Sequence, residues 1–161
     1  MKRRLARWTR FLLVIGTCNF LASSQSYNLP SSGRFIASSL WAREVFNQCS
    51  RSAPSPKVDF WEPTIAEIDG VERSLAAYLA DLDKAGKHTP PKKVSYHRQY
   101  VGFIRNGESY IYANFYPDEN EFRSQESKHA IMVCDGGPAF WGIVYRVKAK
   151  TFEEPQFNGV A

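Results

Sequence analysis

The dipeptide Asn106-Gly107 stands between two runs of alternating side chains, VSYHRQYVGFIR (94–105) and ESYIYANFY (108–116). Asn-Gly accepts the positive φ angles of a type I′ turn, whose twist matches that of paired strands. A two-residue turn leaves one register open. Arg105 faces Glu108, Phe103 faces Tyr110, Val101 faces Tyr112, Gln99 faces Asn114 and His97 faces Tyr116. A one-residue slip would send every one of these side chains to the other face, so the hairpin constrains all that packs on it. Both of its faces carry aromatic residues, and periodicity alone does not say which face is covered.

A second hairpin is expected downstream. KHAIMVC (128–134) and AFWGIVYRV (139–147) flank Asp135-Gly136-Gly137-Pro138, a string rich in turn formers. Pro155 confines any fifth strand to an edge, because it has no N–H to donate to a ladder.

Two helices are expected before the strands. In Phe35–Cys49, Leu40 or Trp41, then Val45 and Cys49, recur at helical spacing, and Ser38 or Ser39 is placed to cap the start. The stronger pattern comes after Pro63. Thr64-Ile65-Ala66-Glu67 has the form of a capping box. Ile68, Val71, Leu75, Tyr78, Leu79 and Leu82 then form an apolar stripe, with Glu67, Glu72, Arg73, Asp81 and Lys84 assigned to the solvated face. Gly86 is a natural stop, and Pro90-Pro91 prevent the helix from resuming. Pro117–Ser127 is polar and expected to be a solvated loop. The fold class is therefore α+β: a short helix and a long helix packed on a four-stranded antiparallel sheet of two consecutive hairpins.

The net charge of +5 suggests an anionic partner only until it is located. Of the 21 Lys and Arg, five (Lys2, Arg3, Arg4, Arg7 and Arg10) precede residue 24, where there is no Asp or Glu. The 16 that remain are matched by 16 acidic residues, so no basic footprint for DNA or RNA is left. Those five charges head an apolar run, Phe11–Cys18, followed by Ala22-Ser23-Ser24, the order of an export signal. Residues 1–24 are read as a signal peptide cleaved near Ser24, 25–34 as a flexible lead-in, and 35–161 as one domain. The protein would then be periplasmic or secreted. Ile15-Gly16-Thr17-Cys18 is a near-lipobox, and lipid on Cys18 is the alternative; the run is too short to span a bilayer. Membrane contact is expected only through the signal or that lipid.

Removal of Cys18 with the signal leaves Cys49 and Cys134, an even pair read as a disulfide in an oxidising compartment. Closing so long a loop stabilises by about 4–5 kcal/mol on the loop-entropy account. The competing reading makes Cys134, beside the Asp135-Gly136-Gly137 turn, a nucleophile with His97 or His129 as its base. His88, His97 and His129 have no partners at metal-ligand spacing, and neither a metal nor a cofactor is expected. Tyr110, Tyr112, Tyr116, Trp141 and Tyr145 are the candidate binding surface, set against simple sheet packing.

The strings VCDGGPAFWGIVY, FNGVA, YHRQYVGF and FWEPT resemble a family of small uncharacterised exported proteins of proteobacteria, from about Cys49 onward. That resemblance implies export and carries no activity or site residue. One long helix ahead of four antiparallel strands is similar to the cystatin-like and NTF2-like architectures, which host inhibitors, binding modules and enzymes alike. The expectation is a non-enzymatic, disulfide-stapled binding or inhibitor-type protein with an envelope partner. The alternatives are a small enzyme with a helix–sheet pocket and a structural envelope component.

Overall fold

A computed structural model describes Tyr27 and residues 29–160 of the chain; residues 1–24, read above as a signal peptide, Cys18 among them, and part of the expected lead-in lie outside the described residues. Its centre is the hairpin of β3 (Tyr96–Arg105) and β4 (Glu108–Pro117), closed by Asn106 and Gly107 at φ 53° and 76°. The register is the one the turn dictates, from Arg105 opposite Glu108 to His97 opposite Tyr116. Arg105 nonetheless forms its ion pair with Glu153, and Glu108 accepts a hydrogen bond from the Tyr110 hydroxyl.

Five further strands complete a mixed sheet among the described residues. β1 (Arg34–Ile36) runs parallel to β3, and β2 (Asp59–Trp61) pairs antiparallel with the next part of the same edge. On the far side β5 (Trp141–Arg146) pairs with β4, and two short strands, β6 (Thr151–Phe152) and β7 (Gln156–Phe157), lie along β5. The lead-in is thus partly structured: Ser31–Gly33 forms a 3₁₀ turn and Arg34 already belongs to the sheet.

The long helix α1 (Ile65–Lys84) begins at the expected capping box. The Glu67 amide donates to Thr64 Oγ1 at 3.3 Å, and Glu67 Oε2 accepts from the Thr64 amide at 2.8 Å. It ends in a Schellman motif, with Lys87 N–H donating to Leu82 O and Gly86 N–H to Asp83 O. Ile68, Val71, Leu75, Leu79 and Leu82 pack on Tyr96, Tyr100, Ile111, Phe115, Trp141, Ile143 and Tyr145, filling the space beneath the helix.

Glu72 departs from the expected solvated face. It is turned to the sheet, where Arg98 Nε donates to Glu72 Oε1 at 2.7 Å and the Tyr100 hydroxyl donates to the same oxygen at 2.7 Å. Arg34 bridges Asp69 and Glu72 from the sheet edge. Arg98 is 0% exposed, and its remaining arm donates to Pro30 O at 2.6 Å. The helical period places Glu72 one step from the apolar stripe, so a buried cation on β3 can draw it inward.

The short helix is not formed. Its first residues join the sheet as β1. A single i to i−4 bond, from Ala42 to Ser38, is not continued; from Glu44 onward the chain closes through bonds from residue i to i−3 (Glu44 to Trp41, Val45 to Ala42, Phe46 to Arg43), with only Glu44–Phe46 of this segment a 3₁₀ turn. Too few residues remain before the Ser50–Lys57 loop to repay helix nucleation. The apolar spacing still works: Ala37, Trp41, Ala42, Val45 and Phe46 bury against Val101, Phe103, Tyr110, Tyr112 and Val144, whereas Leu40 is 90% exposed.

The second hairpin is not formed either. Only its second arm is a strand, β5. β4 occupies one edge of β5, and β6 and β7 share the other, so residues 129–134 cannot pair with β5. They cross the face of the sheet opposite α1 as irregular chain. Gly136, at φ 94°, precedes a 3₁₀ turn at Gly137–Ala139 in place of the expected hairpin turn. Cys134 is bonded to Cys49, 85 residues earlier, which ties this crossing segment to the end of the 37–49 segment.

Replacing Arg98 with Met leaves Glu72 and Tyr100 facing apolar surroundings and is expected to cost about 3–5 kcal/mol in urea unfolding. The double variant Arg98→Met/Glu72→Leu is expected to regain most of that loss. A double variant as unstable as the single one would show that the pair is not the source of the effect.

Candidate functional site

The face of the sheet opposite α1 carries a row of polar side chains under an irregular cover. At one end His97 is buried between two carboxylates. Its Nδ1 lies 2.8 Å from Glu126 Oε2 and its Nε2 lies 3.2 Å from Asp118 Oδ1. Tyr116, directly across the ladder, donates its hydroxyl to Glu126 Oε2 at 3.2 Å. Pro117–Ser127 is therefore not a simple solvated loop: Glu126 and Phe122 are buried, the latter against Tyr116 and Ile131.

The middle of the row is the cross-strand pair Gln99 and Asn114. Asn114 Nδ2 donates to Gln99 Oε1 at 3.1 Å and to Ile131 O at 2.9 Å. Gln99 Nε2 donates to Glu126 O and His129 O, and Gln99 Oε1 accepts from the Ile131 amide. These amides serve the crossing segment as a neighbouring strand would, which is why it stays buried without joining the sheet.

At the other end Arg51 spreads over three oxygens. It donates to Asn114 Oδ1, to Asn158 Oδ1 and, at 3.3 Å, to the Tyr112 hydroxyl. Among the described residues no carboxylate pairs with it. Asn158 in turn donates to Val133 O and, at 3.0 Å, to Asp135 O, on either side of Cys134.

A groove of about 340 Å³ opens beside Arg51, between Ser52–Pro54 and Glu153–Gln156, with Arg105 and Tyr112 among its lining residues. Tyr112 is the most buried of these at 1% exposed, and its hydroxyl accepts from Arg51 while donating to no described group. Gly142 makes room for that hydroxyl, since a Cβ there would lie 2.2 Å from it. A second cleft, of about 360 Å³, sits at the end of α1 between Leu82, His88 and Phe157, where the His88 ring meets Phe157 edge-on.

The five candidate aromatics do not form one surface. All are buried, and β-strand alternation divides them. Tyr110, Tyr112 and Tyr116 lie on the face with the polar row. Trp141 and Tyr145, opposite Phe115 and Ile111 in the ladder, lie under α1, where Trp141 stacks on Phe115 at 3.8 Å. Tyr112 alone of the five lines the groove. Cys134 is held in the disulfide and has no thiol to act as a nucleophile. His129 is exposed and contributes its backbone carbonyl to Gln99. No set of three or more His, Cys, Asp or Glu is arranged to hold a metal ion among the described residues, nor is any of their helices long and apolar enough to cross a membrane. The sequence reading missed Arg51, Glu126 and Asn158, which lie in segments without periodicity. The facing amides Gln99 and Asn114 were the available signal, being a cross-strand polar pair inside the ladder, next to the apolar pair Val101 and Tyr112 on the same face.

No protein-family model, curated protein or solved structure matches this chain.

Burial raises the pKa of Tyr96, Tyr100, Tyr112 and Tyr116 above the ordinary tyrosine value, and in Tyr100 and Tyr116 the neighbouring Glu72 and Glu126 add to it. The folded state thus holds these protons more tightly than the unfolded chain. The stability this contributes is complete below the unfolded tyrosine value of about 10 and is lost as pH rises beyond it toward the folded values. Tyrosinate absorbance from these four residues is expected to appear together with loss of circular dichroism above about pH 10. Their complete ionisation near pH 10 with the fold intact would contradict it.

Proposed function

We propose that this is an exported, non-catalytic binding protein that takes a neutral polypeptide segment of an envelope partner into the groove between Ser52–Pro54 and Glu153–Gln156. The observation that carries this reading is Tyr112. It supplies a buried, pre-positioned hydroxyl with an unused proton, held by Arg51 at the inner side of an open groove. A carbonyl oxygen is the complementary group, and a backbone offers one at every residue. At the rim Arg105 is already paired with Glu153, and Lys87 with Glu154, so no net charge selects an ion.

The disulfide supports the same reading. Arg51 and the groove wall come directly after Cys49, so the covalent tie to Cys134 limits how far the wall can move in the free protein. A preformed wall spares the ordering entropy that a loose loop would lose on binding. The groups that an enzyme would use are otherwise engaged, His97 between two carboxylates and Cys134 in the disulfide. The basic, apolar N-terminal segment and the two bonded cysteines fit export with removal of residues 1–24.

Export is checked by the intact mass of the protein from fractionated cells. A chain beginning near Gln25 and two hydrogens lighter than its reduced form is expected; a chain retaining residues 1–24 with free thiols would refute export. Binding is checked by affinity capture from envelope extract. The wild-type protein is expected to recover one stoichiometric partner, and Ser52→Trp, a change at an exposed wall residue that fills the groove, to reduce recovery by about tenfold or more. Equal recovery by the two would place binding elsewhere.

A further inference from the structure

We infer that the Cys49–Cys134 bond is a thiol–disulfide exchange site for a protein dithiol, and that its reduction releases residues 132–136 of the crossing segment from the sheet. A disulfide that serves only as a staple gains from burial, where no thiolate reaches it. Here both cysteines are exposed, although they join two segments whose other anchors are buried. Attack by a thiolate needs access to a sulfur along the S–S axis, and exposure provides it.

The released segment is defined by its other anchors. Toward the N-terminus, Glu126 is fixed by His97 and Tyr116, and Ile131 is bonded through both its N–H and its carbonyl to Gln99 and Asn114. Beyond Ile131 the remaining ties are the two bonds from Asn158 to Val133 O and Asp135 O, and that between Gly137 N–H and Gly159 O. Asn158 itself is positioned by Arg51, two residues from Cys49. The bond therefore closes a small circuit: Cys49, Arg51, Asn158, Val133 and Asp135, and back to Cys134. Met132, 52% exposed, and Val133 and Asp135, half-buried and exposed, add little apolar anchorage. Opening the covalent link leaves that stretch on the two Asn158 bonds, the Gly137–Gly159 bond and the packing of Val133, while β3 and β4 keep their full ladder.

The chemistry balances without any further reagent. A thiolate of the donor attacks one sulfur, the S–S electron pair passes to the other, and that sulfur takes up a proton. The donor's second thiolate then attacks the mixed disulfide and releases the second cysteine as a thiol. The donor leaves oxidised to its own disulfide, and Cys49 and Cys134 are each reduced by one electron and carry one added hydrogen.

The test uses the mature chain, folded and without denaturant, with a reduced thioredoxin-type dithiol protein as the probe. Alkylation followed by mass measurement is expected to show two modified cysteines. A probe lacking its resolving cysteine is expected to be trapped as a covalent adduct. Hydrogen exchange of the Gly137 amide, which is bonded to Gly159 O, is expected to rise by about tenfold or more on reduction and to return on reoxidation, with β3 and β4 unchanged. The variant Cys49→Ser/Cys134→Ser is expected to match the reduced protein. Three results would overturn the inference: a bond that the dithiol protein reduces only in denaturant, reduction that leaves exchange of the Gly137 amide as it was, or reduction or the double variant raising exchange throughout β3 and β4, which would make the bond a staple of the whole domain.

Discussion

Everything on the face opposite α1 depends on the pairing of two amide side chains, Gln99 and Asn114, at the centre of the longest ladder. An irregular segment laid on a sheet brings unpaired backbone groups into a region without water, and each must find a partner. Gln99 and Asn114 provide those partners, accepting from the Ile131 amide and donating to the carbonyls of Glu126, His129 and Ile131. With apolar residues at these two positions, the segment would have to form a strand or leave the surface. Both edges of β4 and of β5 are taken, and leaving would uncover Tyr116, Phe122 and Ile131.

The two faces of the hairpin are thus covered by different means. α1 satisfies its own backbone internally and needs only an apolar stripe to cover its side of the sheet, with Arg98 and Glu72 as the single buried ionic exception. The segments 37–49 and 118–135 lack that internal satisfaction. They rely on turns, on side-chain amides, on His97 between its two carboxylates, and on one covalent bond. The groove lies where the loop of residues 52–54 and the C-terminal strands meet around Tyr112 and Arg105, the place where irregular chain leaves space that regular elements would fill.

Much of this was legible in advance, and the reason is local chemistry. Asn106-Gly107 fixed a register that the ladder reproduces residue by residue, and Thr64 with Glu67 marked the start of α1. The apolar spacing of residues 37–46 pointed to the right buried side chains but the wrong backbone, because burial needs only the spacing, and 3₁₀ turns supply nearly the same one as a helix. The second hairpin failed for a reason no local pattern contains: a strand needs a vacant edge, and β6 and β7, too short to stand out in the sequence, had taken it.

The sequence by itself determined the central hairpin, the long helix, the α+β class and the identity of the bonded cysteine pair, because each arises from interactions within a few residues or from counting. The tertiary structure decided which strands border β3 and β5, the inward turn of Glu72, the burial of all five candidate aromatics and the assembly of Asn114, Tyr112 and Asn158 around Arg51 beside the groove. Those are long-range outcomes: residues 51, 114 and 158 share no local period, and only the demand that buried polar groups be paired brings them together.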